Sequence, residues 1–113
     1  MIVTGWGVTL KSASRFDDLL VKSPVLAVNM DNCTSIYKKM KRDLSDSEFC
    51  GTTGTHICTT LPGSAAFIPR GNDSRVTIVG LASDGSAECG SEIPIIFTKI
   101  SNYLDWIESI VWP

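Results

Sequence analysis

Hydrophobic residues fall in short β-prone runs that glycines interrupt throughout the chain. The clearest runs cover residues 25–29, 76–82 and 95–100, rich in Val, Ile and Phe. Gly5, Gly7, Gly51, Gly54, Gly63, Gly71, Gly80, Gly85 and Gly90 punctuate them. Short strands at this spacing predict an antiparallel sandwich or barrel. Arg70-Gly71-Asn72-Asp73 predicts a hairpin-type turn between Phe67-Ile68 and the run that starts at Val76. Two segments carry helical periodicity instead. Residues 31–40 open on Asp31 and Asn32, good N-caps, and place Cys33, Ile36, Tyr37 and Met40 on one face. Ser101 can cap a second helix with apolar positions at Tyr103, Trp106, Ile107, Ile110 and Val111, and Pro113 follows its end. The order is strands, short helix, strands, terminal helix, which makes a mostly-β chain.

Composition narrows this to one globular domain over residues 1–113, with 43% hydrophobic and 19% charged residues. Ten basic against twelve acidic residues leave a net charge of −2, which argues against nucleic acid or an anionic membrane as partner. No apolar run approaches the roughly 18 residues that a membrane span needs. Four cysteines without a Cys-x-x-Cys pair read most naturally as two disulfides, hence an oxidising compartment. A metal site from Cys50, His56, Cys58 and Cys89 is the alternative, although His56 and Cys58 stand too close for most zinc frameworks. No metal and no cofactor is expected. Asn32-Cys33-Thr34 and Asn72-Asp73-Ser74 both fit the glycosylation sequon. The N-terminal Met1-Ile-Val-Thr-Gly-Trp-Gly carries no secretion signal, which conflicts with the cysteines.

Four stretches, taken in order, carry a resemblance. Val3-Thr-Gly-Trp-Gly resembles the strand that opens the C-terminal barrel of chymotrypsin-like (trypsin family) serine proteases. Asn32-Cys-Thr-Ser-Ile-Tyr resembles their intermediate helix, and Glu48-Phe-Cys-Gly with Ile57-Cys58 resembles the two cysteines leading to the nucleophile loop. Ile96-Phe-Thr-Lys-Ile-Ser-Asn-Tyr-Leu-Asp-Trp-Ile, the most specific of the four, resembles the last strand and C-terminal helix. The details resemble arthropod members most. The resemblance implies a single six-stranded antiparallel Greek-key barrel, half of a double barrel, with a short internal helix and a C-terminal α-helix. It also implies the pairings Cys33–Cys50 and Cys58–Cys89. The family's third bridge in this barrel would join the positions of Met1 and Ile68, neither of which is cysteine.

The nucleophile loop of active relatives reads Cys-x-Gly-Asp-Ser-Gly-Gly-Pro; aligned without gaps, this chain has Cys58-Thr59-Thr60-Leu61-Pro62-Gly63-Ser64-Ala65. Pro62 stands at the serine, with no hydroxyl to attack a carbonyl and no N–H for the oxyanion. Leu61 replaces the aspartate that answers the new N-terminal amine on activation, and Thr60 adds a side chain where glycine lets the substrate approach. Ser64 becomes the nucleophile only through a two-residue shift of the alignment. His56, the single histidine, falls at the base of the substrate pocket, not at a general base. Ile95 replaces a wall glycine and should fill the pocket; Ser83-Asp84-Gly85 stands where relatives have Ser-Trp-Gly along the substrate edge. The family's catalytic His and Asp belong to the first barrel, which this sequence does not include.

These substitutions imply a non-catalytic protease homologue, a fragment of a longer secreted protein. It would act by binding a protein: a protease, another component of an extracellular cascade, or the first barrel. Two alternatives stay open, a serine endopeptidase whose other half lies outside this sequence and a degenerate remnant. Elsewhere, Lys38, Lys39, Lys41 and Arg42 read as a solvated cationic helix end. Trp6 and Trp106 read as core aromatics, and Trp112 has no evident place.

Overall fold

The computed structural model describes residues 1–5, 8–9, 21–53, 57–59, 62–71, 74–84 and 93–113. Its strands are β1 (Ile2–Gly5), β2 (Val8–Thr9), β3 (Val21–Pro24), β4 (Leu26–Val28), β5 (Glu48–Thr52), β6 (Ile57–Thr59), β7 (Ala65–Pro69), β8 (Val76–Asp84) and β9 (Ile95–Lys99). Helix α1 (Met30–Lys38) lies between β4 and β5; a 3-10 turn (Ile100–Tyr103) leads from β9 into helix α2 (Leu104–Val111).

Seven strands form one antiparallel sheet in the order β3-β1-β7-β8-β9-β5-β4, and β2 pairs with β6 in a separate ribbon. The two edges of the large sheet are neighbours in the chain, since only Val25 separates β3 from β4. Pro24 lacks a ladder donor at this hand-over, and the Val25 N–H carries the pairing on by donating to the Met1 carbonyl at 2.8 Å. Residues 21–28 therefore behave as one bent strand whose halves pair with β1 and β5. Counted this way, six strands run round a barrel. The chain passes from β5 across to β7, which lies beside β1, the Greek-key step. The hairpin expected at residues 70–73 joins β7 to β8, with Ile68 opposite Thr77, although residues 72–73 lie outside the described part.

The period of two sorts side chains to the two faces of the sheet. Val3, Val25, Ala66, Ala82, Ile95 and Phe97 meet inside the barrel, where the Phe97 ring stacks on Phe49 with centroids 5.1 Å apart. Gly80 makes room for this pair, because a Cβ there would lie 2.6 Å from the Phe49 ring. Ile96 and Cys50 point outward and join Cys33 and Tyr37 of α1 in a second buried cluster. A disulfide links Cys33 to Cys50.

The helices depart from the sequence reading at their ends. Asn29, not Asp31 or Asn32, caps α1: its side chain accepts the Asp31 N–H at 2.8 Å. At the other end, the Arg42 N–H donates to the Tyr37 carbonyl and the Lys41 N–H to the Lys38 carbonyl, both at 3.0 Å. Lys41 has φ +61°. This is the Schellman pattern, with a lysine where glycine is usual. The helix therefore unwinds before Met40, which ends up exposed and not on the buried face. Lys41→Gly should raise stability by about 0.5–1 kcal/mol, because a side chain at positive φ is strained. A higher urea midpoint at unchanged slope would show it.

Helix α2 departs more sharply. Ser101 does not cap it; the chain enters through the 3-10 turn, and neither the turn nor the helix has a side-chain N-cap. No α2 residue is buried. Trp106, expected in the core, is 65% exposed, and Trp112 is 73% exposed. The apolar stripe exists, but none of the described residues buries it. Trp6 lies outside the described residues.

Candidate functional site

Three segments meet at one end of the barrel: the turn at Pro62-Gly63, the end of β8 at residues 82–84, and the start of β9. Proline followed by a glycine at φ +93° is the combination a type II turn requires. The Gly63 N–H donates to the Ala82 carbonyl at 2.7 Å, and the Ala82 N–H donates to the Ser64 carbonyl at 2.8 Å. Two residues thus oppose one, with a positive-φ glycine first: a G1 bulge. The turn is locked onto β8, and the only backbone donor it has at Gly63 is already committed. Pro62 itself is exposed, with neither hydroxyl nor N–H, while Ser64 is half-buried at the root of β7.

Ser83 and Asp84 are exposed at the tip of β8. The β8–β9 register shifts between them and Ala82: Ala82 pairs with Phe97, and Asp84 with Ile96. Ser83 is the extra residue of that shift. Ile95, one position before Ile96, is 4% exposed and packs into the barrel interior. Of the remaining sequence candidates, Thr60, Leu61, His56, Gly85 and Cys89 lie outside the described residues, and with them the Cys58–Cys89 pairing. Among the described residues no cluster of three or more His, Cys, Asp or Glu could hold a metal ion.

The structure adds two groups to this end that the sequence reading did not assign to the site. The Tyr37 hydroxyl, reaching from α1, donates to the Pro94 carbonyl at the head of β9. Burial, and then the Asp84 carboxylate, push the Tyr37 hydroxyl up to about 12, with Arg42 acting the other way. Arg42 is the second group. Instead of a solvated helix-end cation, it is a bridge: its Nη2 lies 2.9 Å from Glu48 Oε2, and its Nε lies 3.7 Å from Asp84 Oδ2. The Schellman turn makes this possible by folding Arg42 back toward β5. Where relatives are expected to carry an aromatic platform, this chain has a carboxylate with a matched guanidinium.

Burial acts to raise the Glu48 carboxyl, but the Ser45 N–H at 3.0 Å and the Arg42 guanidinium outweigh it and hold it below its ordinary value. A carboxyl lowered by folding stabilises the fold above its unfolded pKa, and that contribution disappears as pH falls through the lowered native value. Glu48→Gln should therefore be less stable than wild type near neutrality. The gap should close as the pH is taken below the ordinary carboxylate value of 4.5. Urea midpoints of both proteins from about pH 7 to pH 3 give the comparison.

A sequence profile described as Trypsin matches residues 1–107. Among the relatives, phenoloxidase-activating factor 3 of Holotrichia diomphalia is 32% identical over 115 residues, which is 98% of this chain and 32% of that protein. The CLIP domain-containing serine protease HP8 of Bombyx mori is 29% identical over 112 residues, 96% of this chain and 30% of that protein. The clotting factor G beta subunit of Tachypleus tridentatus is 25% identical over 120 residues, 99% of this chain and 38% of that protein. The chain thus spans about a third of the length of the curated relatives it matches. A mostly-β fold whose sheet curls into a barrel, a C-terminal helix and a family match over nearly its whole length agree: the chain belongs to the trypsin family of serine proteases.

Proposed function

We propose that the chain is the C-terminal barrel of a non-catalytic member of this family, secreted and acting by protein binding in extracellular proteolysis. The observation that carries this is the Pro62-Gly63 turn. At the position the resemblance assigns to the nucleophile stands a residue with neither hydroxyl nor N–H, and the Gly63 N–H beside it is spent on Ala82. Losing a single oxyanion donor typically costs roughly 10²–10³ in rate, and losing the nucleophile costs more. Ile95, buried among Val3, Val25, Ala66, Ala82 and Phe97, supports the same reading, because the resemblance implies a glycine there.

The binding role draws support from the surface. Tyr103, Leu104, Trp106, Ile110, Val111 and Trp112 are all exposed. Beside the start of α2, an apolar cleft of about 420 Å³ opens between Met1, Phe49, Ile68, Ile78 and Leu104. Exposed apolar surface in this amount suits a protein contact. The names of two relatives, an activating factor and a clotting factor subunit, point to proteolytic cascades as the setting. The test adds the whole protein, or its Trp106→Glu/Ile110→Glu variant, to a reconstituted arthropod extracellular cascade and follows the rate of downstream protease activation. Wild type should change that rate and the variant should not. Equal rates with and without wild-type protein would contradict the binding role.

A further inference from the structure

One motif remains that the site does not absorb. Asn32-Cys33-Thr34 is a sequon on α1, and its three side chains are divided by the fold. Cys33 points inward, fully buried and bonded to Cys50. Asn32 and Thr34 are exposed, and neither side chain makes a hydrogen bond among the described residues. The capping of α1 falls to Asn29 instead. The Asn32 carboxamide therefore has no structural task that a modification would remove, and solvent surrounds it.

We propose that Asn32 is an N-glycosylation site, used before α1 and the Cys33–Cys50 disulfide form. The inference rests on passage through an oxidising secretory compartment. In the transfer, Asn32 Nδ2 forms a bond to the anomeric carbon of a lipid-diphosphate-linked oligosaccharide. The bond from that carbon to the diphosphate breaks, the diphosphate leaves with the electron pair, and the nitrogen gives up one proton. The sequon is read with Asn and Thr presented together. On a helix, residues two apart do not share a face, so folded α1 withholds that arrangement, and the disulfide at Cys33 locks it away. Glycosylation and disulfide closure thus compete for the same three residues. Once attached, the glycan keeps the α1 side of the barrel in water in any assembly. Residues 103–112 contain no sequon, so the apolar surface of α2 stays clear for a protein contact.

The test expresses the whole protein through the secretory pathway of insect cells and digests it without reduction. The peptide pair joined by Cys33–Cys50 is then treated with the amidase that removes N-linked glycans and converts the carrier Asn to Asp. Conversion of Asn32 in the linked pair is expected, with none in an untreated sample. Asn32→Gln and Thr34→Ala should each abolish the conversion while the linked pair is still recovered. A mild reductant during synthesis should raise the converted fraction. A linked pair with Asn32 unconverted would overturn the proposal while leaving the oxidising passage intact. Recovery of Cys33 and Cys50 as free thiols would overturn the secretory reading, and this inference with it. Asn72 lies on a separate peptide and reports independently.

Discussion

Phe97→Ala is expected to be the most damaging single truncation, costing about 3–5 kcal/mol. The Phe97 ring is fully buried at the barrel centre and stacked on Phe49. Its surroundings cannot close over the void. Gly51 on the neighbouring strand has no side chain, and a Cβ there would already stand 3.3 Å from the Phe97 ring and 2.5 Å from Val25. Ala82, paired opposite, is too short to reach across. Chemical denaturation followed by far-ultraviolet circular dichroism measures the loss. Phe97→Leu, which keeps most of the volume, should lose distinctly less. Equal losses for the two variants would mean that the ring does not fill the interior as described.

The disulfide is expected to contribute the next largest effect. Replacing Cys33 and Cys50 together by alanine should cost about 3 kcal/mol, the scale expected for a loop of this length. The bridge spans 17 positions of sequence and ties α1 to β5. Both sulfurs are buried against Tyr37 and Ile96, so the alanines also leave small voids in that cluster. Reducing the wild-type protein should shift the denaturation midpoint in the same direction. An unchanged midpoint after verified cleavage of Cys33–Cys50 would contradict the role given to this bridge.

Much of the barrel was legible because its logic is local. The runs around Val76 and Ile95 alternate or run apolar in lengths typical of strands, and both became central members of the sheet. Ile95, Ile96 and Phe97 show why a continuous apolar run fits there: the first and third face the interior, and the second faces α1. What sequence left open was which layer covers which face. The α2 periodicity marked an apolar stripe at Trp106 and Ile110 correctly, but a stripe does not say whether anything packs on it. Likewise, 25–29 read as one strand without showing that it continues back to residue 21, or that residues 21–24 pair with β1 while residues 26–28 pair with β5.

The site was legible in part for the same reason. Pro62 was legible as the residue at the nucleophile position and Gly63 as a break between runs, while the turn they form was seen only in the structure. The Arg42–Glu48–Asp84 bridge was not legible, because its members come from a helix end, β5 and the tip of β8. A signal existed in retrospect. A carboxylate at Asp84, where relatives are expected to present an aromatic ring, calls for a cation, and Arg42 is the one the Schellman turn delivers.

The central claim is that this barrel offers no serine nucleophile, and an active-site-directed fluorophosphonate tests it most directly. Incubated with the whole native protein beside an active trypsin-family protease, the probe should label the protease to completion and leave this chain without an adduct. Covalent labelling at Ser64, lost in Ser64→Ala, would contradict the account. It would show that the loop after Cys58 shifts by two residues and that the chain is half of a working enzyme.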